Sequence, residues 1–243
     1  MLMTRIAVGA MALCALCAGC GGAKSAEATT ALDGAEAEEG RGGAKPFVPS
    51  FVVPEVDAGY YREAVARLAS GDVADIPSVD FLKMRYSHLL QSTGDGVTDE
   101  VRDAMNAAMS GQDAAAQIAA ADAAIQSDYT ILFAHLSKAA ALTRSGADAS
   151  FETAICNALA ESIMSTGDGR TPETALHVAQ VEEEYAILTL LSLHRDSQAL
   201  VRYGDRAFDV LEVHDDKGEK QTLYFDITEH MANLARLMGG ADR

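Results

Sequence analysis

The chain has 243 residues, with 19 Lys and Arg against 36 Asp and Glu, giving a formal net charge of −17. Such a surface repels polyanions, which excludes nucleic acid and anionic lipid head groups as electrostatic partners. Once a leader and linker are set aside, about 195 residues are left to fold, enough for one mid-sized domain or two small ones.

The first residues have the parts of an export signal: Arg5 as the positive end, an apolar stretch over 6–16 too short to cross a bilayer, and the small-residue site Ala18-Gly19-Cys20. Leu16-Cys17-Ala18-Gly19-Cys20 resembles the lipobox of bacterial lipoproteins. That resemblance implies lipidation of Cys20 and a bacterial cell-envelope protein held to the membrane through that lipid. In a Gram-negative cell it implies the outer membrane, facing the periplasm, because Gly21 is not the aspartate of retained lipoproteins. Residues 1–19 are therefore expected to be a lipoprotein signal peptide, and 20–46 the acylated cysteine with a flexible acidic linker. Gly, Ala, Ser, Thr and Glu dominate 21–45, with one leucine and no aromatic residue, too little apolar surface to offset ordering. A tether of about 25 residues has a reach of roughly 25–30 Å. Cys14 and Cys17 leave with the signal and Cys20 is acylated, so Cys156 is expected as a lone thiol, set among Ile155 and Leu159 as a core residue.

Residues 47–165 read as a helical region. Tyr61, Val65 and Leu68 recur at spacings of four and three before Ser70-Gly71-Asp72, and Val79, Leu82, Tyr86 and Leu89 do so before Ser92-Thr93-Gly94. A third helix is expected over 98–110 and an alanine-rich fourth over 113–126. A fifth opens at Asp128-Tyr129 and runs to Gly146. The pair over 114–146 resembles a tetratricopeptide-type helical hairpin.

Residues 166–243 change character. Strands are expected over 177–181, 208–213 and 222–227, the last two joined as a hairpin by an Asp- and Gly-containing loop over 214–219. Helices are expected over 182–193 and 229–238. The fold class is thus α+β, mostly α: tetratricopeptide-like hairpins followed by a small antiparallel or mixed sheet, packed on the helical region as one domain.

One run is specific. Ser165-Thr166-Gly167-Asp168-Gly169-Arg170-Thr171-Pro172-Glu173, followed by His177-Val178 and Glu183-Glu184-Tyr185, resembles the signature of a bacterial family known as domain of unknown function 4919. Tyr60-Tyr61 with Arg67 and Gly71-Asp72, Arg85-Tyr86, Gln198 before Leu200-Val201, Phe208-Asp209 and Tyr224-Phe225-Asp226-Ile227 are similar to that family's other features. The resemblance covers roughly 55–235. It implies an exported or lipid-anchored protein without an established reaction and supplies no catalytic residue.

Read physically, Thr171 is an N-cap with Pro172 at the first helical position, and Gly167 and Gly169 permit a tight turn around Asp168. The same three residues are the candidate ligand-binding loop, a carboxylate carried on glycines that allow close approach. HExxH, paired CxxC, a phosphate-binding glycine loop and GxSxG are all missing, so zinc hydrolases, nucleotide binders and serine hydrolases lack their minimal parts. No cofactor and no metal site is expected. His135 and His214 carry no separate signal, and Glu182-Glu183-Glu184 reads as a solvated helix start. Two functions follow. The first is a non-catalytic, lipid-anchored interaction module for a protein or peptide partner, contacting the membrane through the lipid on Cys20. The alternative is an envelope hydrolase with Asp168, Glu184 and His177 as catalytic residues around one pocket.

Overall fold

The computed structural model describes residues 48–91 and 113–240; the helix expected over 98–110 and the Ser92-Thr93-Gly94 stop lie outside them, as does Cys20. Short polar side chains and glycines set the helix ends. Helix α1 (Tyr60–Leu68) stops before Gly71, whose φ of 71° is left-handed backbone that glycine adopts without strain. Asp72 then caps a 3₁₀ segment (Val73–Ser78) by accepting the Ala74 N–H at 2.9 Å. Helix α2 (Phe81–Gln91) follows Asp80, which accepts the Lys83 N–H at 3.0 Å. Asp113 caps α3 (Ala114–Ser127) by accepting from Ala115 and Ala116, and Gly146, at φ 74°, ends α4 (Leu132–Ser145). Asp128 does not open α4. Its carboxylate instead accepts the Thr130 N–H and O–H at 2.8 and 2.7 Å, making the bend between the two helices. Helix α5 (Ser150–Met164) completes the helical part and buries Cys156.

The paired tyrosines near the start join these helices. Tyr60 Oη accepts the Asp80 N–H at 2.8 Å and Tyr61 Oη accepts the Tyr129 N–H at 2.8 Å, while the Tyr61 N–H donates to Ser87 Oγ at 2.8 Å. Helix α1 is thereby fastened both to α2 and to the α3–α4 bend.

The remainder is β1 (Leu176–His177), α6 (Glu182–Leu190), β2 (His194–Tyr203), β3 (Arg206–His214), β4 (Lys220–Asp226) and α7 (Thr228–Gly240). The sheet order is β1-β4-β3-β2, with β1 parallel to β4 and the other pairs antiparallel. The β3–β4 hairpin turns as the sequence indicates, with Asp215 accepting the Lys217 and Glu219 N–H groups at 2.9 Å. Strand β1 is two residues long, shorter than the expected 177–181, because the chain leaves the sheet at Val178 to enter α6. Strand β2 was not foreshadowed. It lies at the sheet edge with side chains exposed on both faces, so it lacks the apolar alternation by which strands are recognised. Leu68, Met84, Leu132, Ile155, Ile187, Leu211 and Phe225 belong to one apolar core that runs without interruption from the helices to the sheet. The protein is thus α+β and mostly α. None of the helices among the described residues is long and apolar enough to cross a membrane.

Candidate functional site

The junction between helices and sheet is built on Arg85. Leu82, Tyr86 and Leu89 turn one side of α2 toward Val53, Val56 and Ala179, and Arg85, fully buried, reaches across to α6. Its Nε and Nη2 donate to the two Glu183 oxygens at 2.7 and 2.6 Å, a bidentate fork that only arginine makes. Nη2 also donates to the His177 carbonyl at 3.1 Å and Nη1 to Ser162 Oγ at 3.3 Å. Glu183 in turn accepts the Ala179 N–H at 2.8 Å. Burial opposes the arginine's charge, but the Glu183 carboxylate and its hydrogen bonds outweigh burial and hold the guanidinium above its ordinary pKa.

A second pair lies beside it. Arg206 Nε donates to Asp226 Oδ2 at 2.6 Å, with Nη2 at 2.5 Å; Asp226 Oδ1 accepts the Thr228 N–H at 3.0 Å and so begins α7. His177 pairs with Asp226 across β1 and β4, places Nδ1 3.4 Å from Arg206 Nη2 and meets the Phe51 ring edge-on at 4.7 Å. Burial lowers its pKa to about 4, Arg206 and Arg85 add to that, and Asp226 only partly opposes it. His177 is therefore neutral at pH 7.

The third constellation is a pair of carboxyls. Glu184 has no exposed surface, and neither of its oxygens makes a hydrogen bond of normal geometry. Burial and, next, the Asp209 carboxylate raise its pKa to about 9. Burial also raises the Asp209 pKa, opposed by Gln198 Nε2, which donates to its Oδ2 at 2.7 Å. At neutral pH Glu184 is therefore protonated. Gln198 is oriented from behind: its Oε1 accepts from Tyr185 Oη at 2.8 Å and Arg195 Nη1 at 2.6 Å. Arg195 also lies over the Tyr185 ring at 5.1 Å.

The residues nominated from sequence are placed apart in their bonding. Asp168 is exposed; its Oδ1 accepts from Thr174 Oγ1 at 2.6 Å and from the Arg170 N–H at 3.1 Å, and the Thr174 bond is the main cause of its lowered pKa. Thr171 does cap with Oγ1 toward the Thr174 N–H at 3.3 Å, although the element it caps is a single 3₁₀ turn, Pro172–Thr174. Gly167 is required by close approach, since a Cβ there would lie 2.2 Å from the Thr174 carbonyl oxygen. Gly169 is required by its φ of 70°. Among the described residues no hydrogen bond joins any two of Asp168, Glu184 and His177. The pairing of Arg85 with Glu183 and of Gln198 with Asp209 had no local signal in the sequence, since Glu183 lies in an acidic run and Gln198 in a polar one.

A groove of about 630 Å³ runs between the 3₁₀ segment and α5, lined by Ile76, Pro77, Phe81, Ala154, Ala158 and Glu161 among others. It touches neither carboxyl of the Glu184–Asp209 pair. Among the described residues no group of three or more His, Cys, Asp or Glu side chains is arranged to hold a metal ion. Burial raises the Cys156 pKa, and Glu152 adds to it, which keeps that thiol protonated and unreactive. A family model described as a domain of unknown function (DUF4919) matches residues 60–236. No curated protein and no solved structure matches the chain.

Proposed function

The chain belongs to the DUF4919 family, and from that premise we propose that it is a lipid-anchored protein of the bacterial cell envelope whose folded part is a non-catalytic interaction module. The observation that carries this reading is β2. It is a ten-residue strand at the edge of the sheet, with Leu200 56 % and Tyr203 41 % exposed. An edge of this kind offers unpaired backbone groups to an extended segment of a partner, the strand-addition mode of peptide recognition. A bulge between Arg195 and Ser197 turns the start of the strand aside and leaves 197–203 as the regular stretch.

The signature charges support the same reading. Arg85, Glu183, Arg206 and Asp226 are used against one another inside the fold, Asp168 closes a turn, and Glu184 is sealed from solvent. Little of the signature is left over for a substrate, which weighs against the hydrolase alternative built on Asp168, Glu184 and His177. The lipid on Cys20 and the linker over 21–45 supply the attachment, because an acidic surface has no affinity of its own for anionic lipid.

Two measurements test the proposal. Metabolic labelling with a fatty-acid analogue marks the wild-type chain and not Cys20→Ala; equal labelling of both removes the anchor. A partner captured from envelope extract by the wild type is lost with Leu200→Lys, an edge-blocking charge that meets Asp209 across the ladder without like-charge repulsion. Capture undiminished by Leu200→Lys sinks the strand-addition mode.

A further inference from the structure

At the end of the sheet remote from Arg206, the first rung of the β2–β3 ladder pairs His194 with His214 directly. Their rings lie 5.3 Å apart, centroid to centroid, tilted by 33°. Each ring has one nitrogen held by a carboxylate: His194 Nε2 is 2.9 Å from Asp216 Oδ1 and His214 Nδ1 is 2.8 Å from Asp196 Oδ1. Asp196 is itself fixed by Lys220 Nζ at 3.1 Å and sits at the β2 bulge, which turns its side chain toward His214. The other two nitrogens, Nδ1 of His194 and Nε2 of His214, have no hydrogen-bond partner among the described residues.

This arrangement has the parts of a metal-ligating pair. Imidazoles that bind a metal through one nitrogen commonly give the other to a carboxylate, which orients the ring and raises its basicity. The spacing also fits. Two imidazoles sharing one tetrahedral ion at metal–nitrogen distances of about 2.0–2.1 Å hold their centroids about 5 Å apart. Antiparallel pairing of the two strands supplies that spacing through the backbone, without a loop having to fold around the ion. Nitrogen ligands select borderline divalent ions over Mg²⁺ and Ca²⁺.

We propose that the His194–His214 pair is a binding site for a borderline divalent transition-metal ion of the zinc or copper class. Two imidazoles are fewer than a closed structural site uses, so water completes the coordination and the ion exchanges with solvent. His194 and Asp216 are 58 % and 74 % exposed at the side chain, which leaves the ion accessible. The sheet edge is not needed for this site, and the proposal stands independently of the strand-addition reading.

The test uses the full chain with its thiols alkylated, titrated with Zn²⁺ against a chromophoric chelator. The expected result is one ion bound, with affinity lowered at least tenfold by His194→Ala and by His214→Ala, and lowered about 10–100-fold by Asp216→Asn as an orienting carboxylate. His230→Ala is the control and leaves the affinity unchanged. Side-chain nitrogen NMR provides a second readout: one equivalent of Zn²⁺ moves the resonances of His194 and His214 and not those of His88 or His135. Binding that survives the double alanine variant, or an absence of binding by the wild type, overturns the proposal.

Discussion

Replacing Arg85 by methionine keeps much of the side-chain volume and removes the charge, leaving Glu183 with only the Ala179 N–H as a partner. Both residues are almost wholly buried, at 0 % and 4 % exposure. Removing one partner of a buried ion pair costs about 3–5 kcal/mol, because the desolvated charge that stays behind is uncompensated. At about 2–4 °C per kcal/mol for a protein of this size, the melting temperature falls by about 6–20 °C. Adding Glu183→Gln removes the orphan charge and keeps an oxygen for Ala179, so the double variant is expected to be more stable than Arg85→Met alone. The measurement is urea and thermal unfolding of wild type, both single variants and the double, arranged as a cycle. Losses that simply add, or an Arg85→Met loss below about 1 kcal/mol, would refute the reasoning that this pair locks the junction.

Glu184, with a pKa raised to about 9 in the folded state, keeps a proton that the unfolded chain releases near pH 4.5. Its contribution is therefore complete below that pH and is lost as pH rises toward 9, at up to about 1.4 kcal/mol per pH unit; Glu184→Gln should flatten this slope in unfolding curves taken between pH 6.5 and 9, and an unchanged slope counts against a protonated Glu184. His177 acts in the opposite sense. With a folded pKa of about 4, it stabilises above pH 6.5 and the benefit is lost as pH falls toward 4, so His177→Gln should make the protein less sensitive to acid across that window, as followed by circular dichroism. Gly167→Ala places a methyl group 2.2 Å from a backbone oxygen and is expected to cost about 2 kcal/mol or more. A loss smaller than that of Asp168→Ala would show that the turn is held by its carboxylate and not by close packing.

Much of the helical part could be read before the structure because its signals are local. Asp113 caps through its own side chain, Gly146 ends a helix through its own φ, and the alanines of α3 show their close-packed face by composition. The β3–β4 hairpin was legible for the same reason, with Asp215 and Gly218 making the turn. Strand β2 was not. His-Arg-Asp-Ser-Gln-Ala-Leu-Val-Arg-Tyr has no buried face to impose a period of two, and its only instruction to be a strand comes from β3 alongside it. The candidate site was legible as a set of signature residues but not as pairs. Glu182, Glu183 and Glu184 read as one solvated acidic run, whereas the fold exposes the first, gives the second to Arg85 and seals the third against Asp209. Neighbouring positions on a helix point some 100° apart, so three identical letters meet three different surroundings. Asp168 could be assigned to turn chemistry from its flanking glycines alone. The tight approach at Gly167 could not, since it depends on where Thr174 returns.

The bond between Arg85 and Glu183 spans 98 positions of the chain, whereas α3 and α4 meet across a four-residue bend. These separations set an order of assembly. The hairpin forms from segments already close in sequence and has little loop entropy to lose, while the arginine fork must wait until the strands, α6 and α2 have converged. A guanidinium that reaches its carboxylate last is solvated through most of folding and surrenders its water only as the final surfaces close. The junction then behaves as a latch: its loss is expected to quicken unfolding far more than it slows refolding.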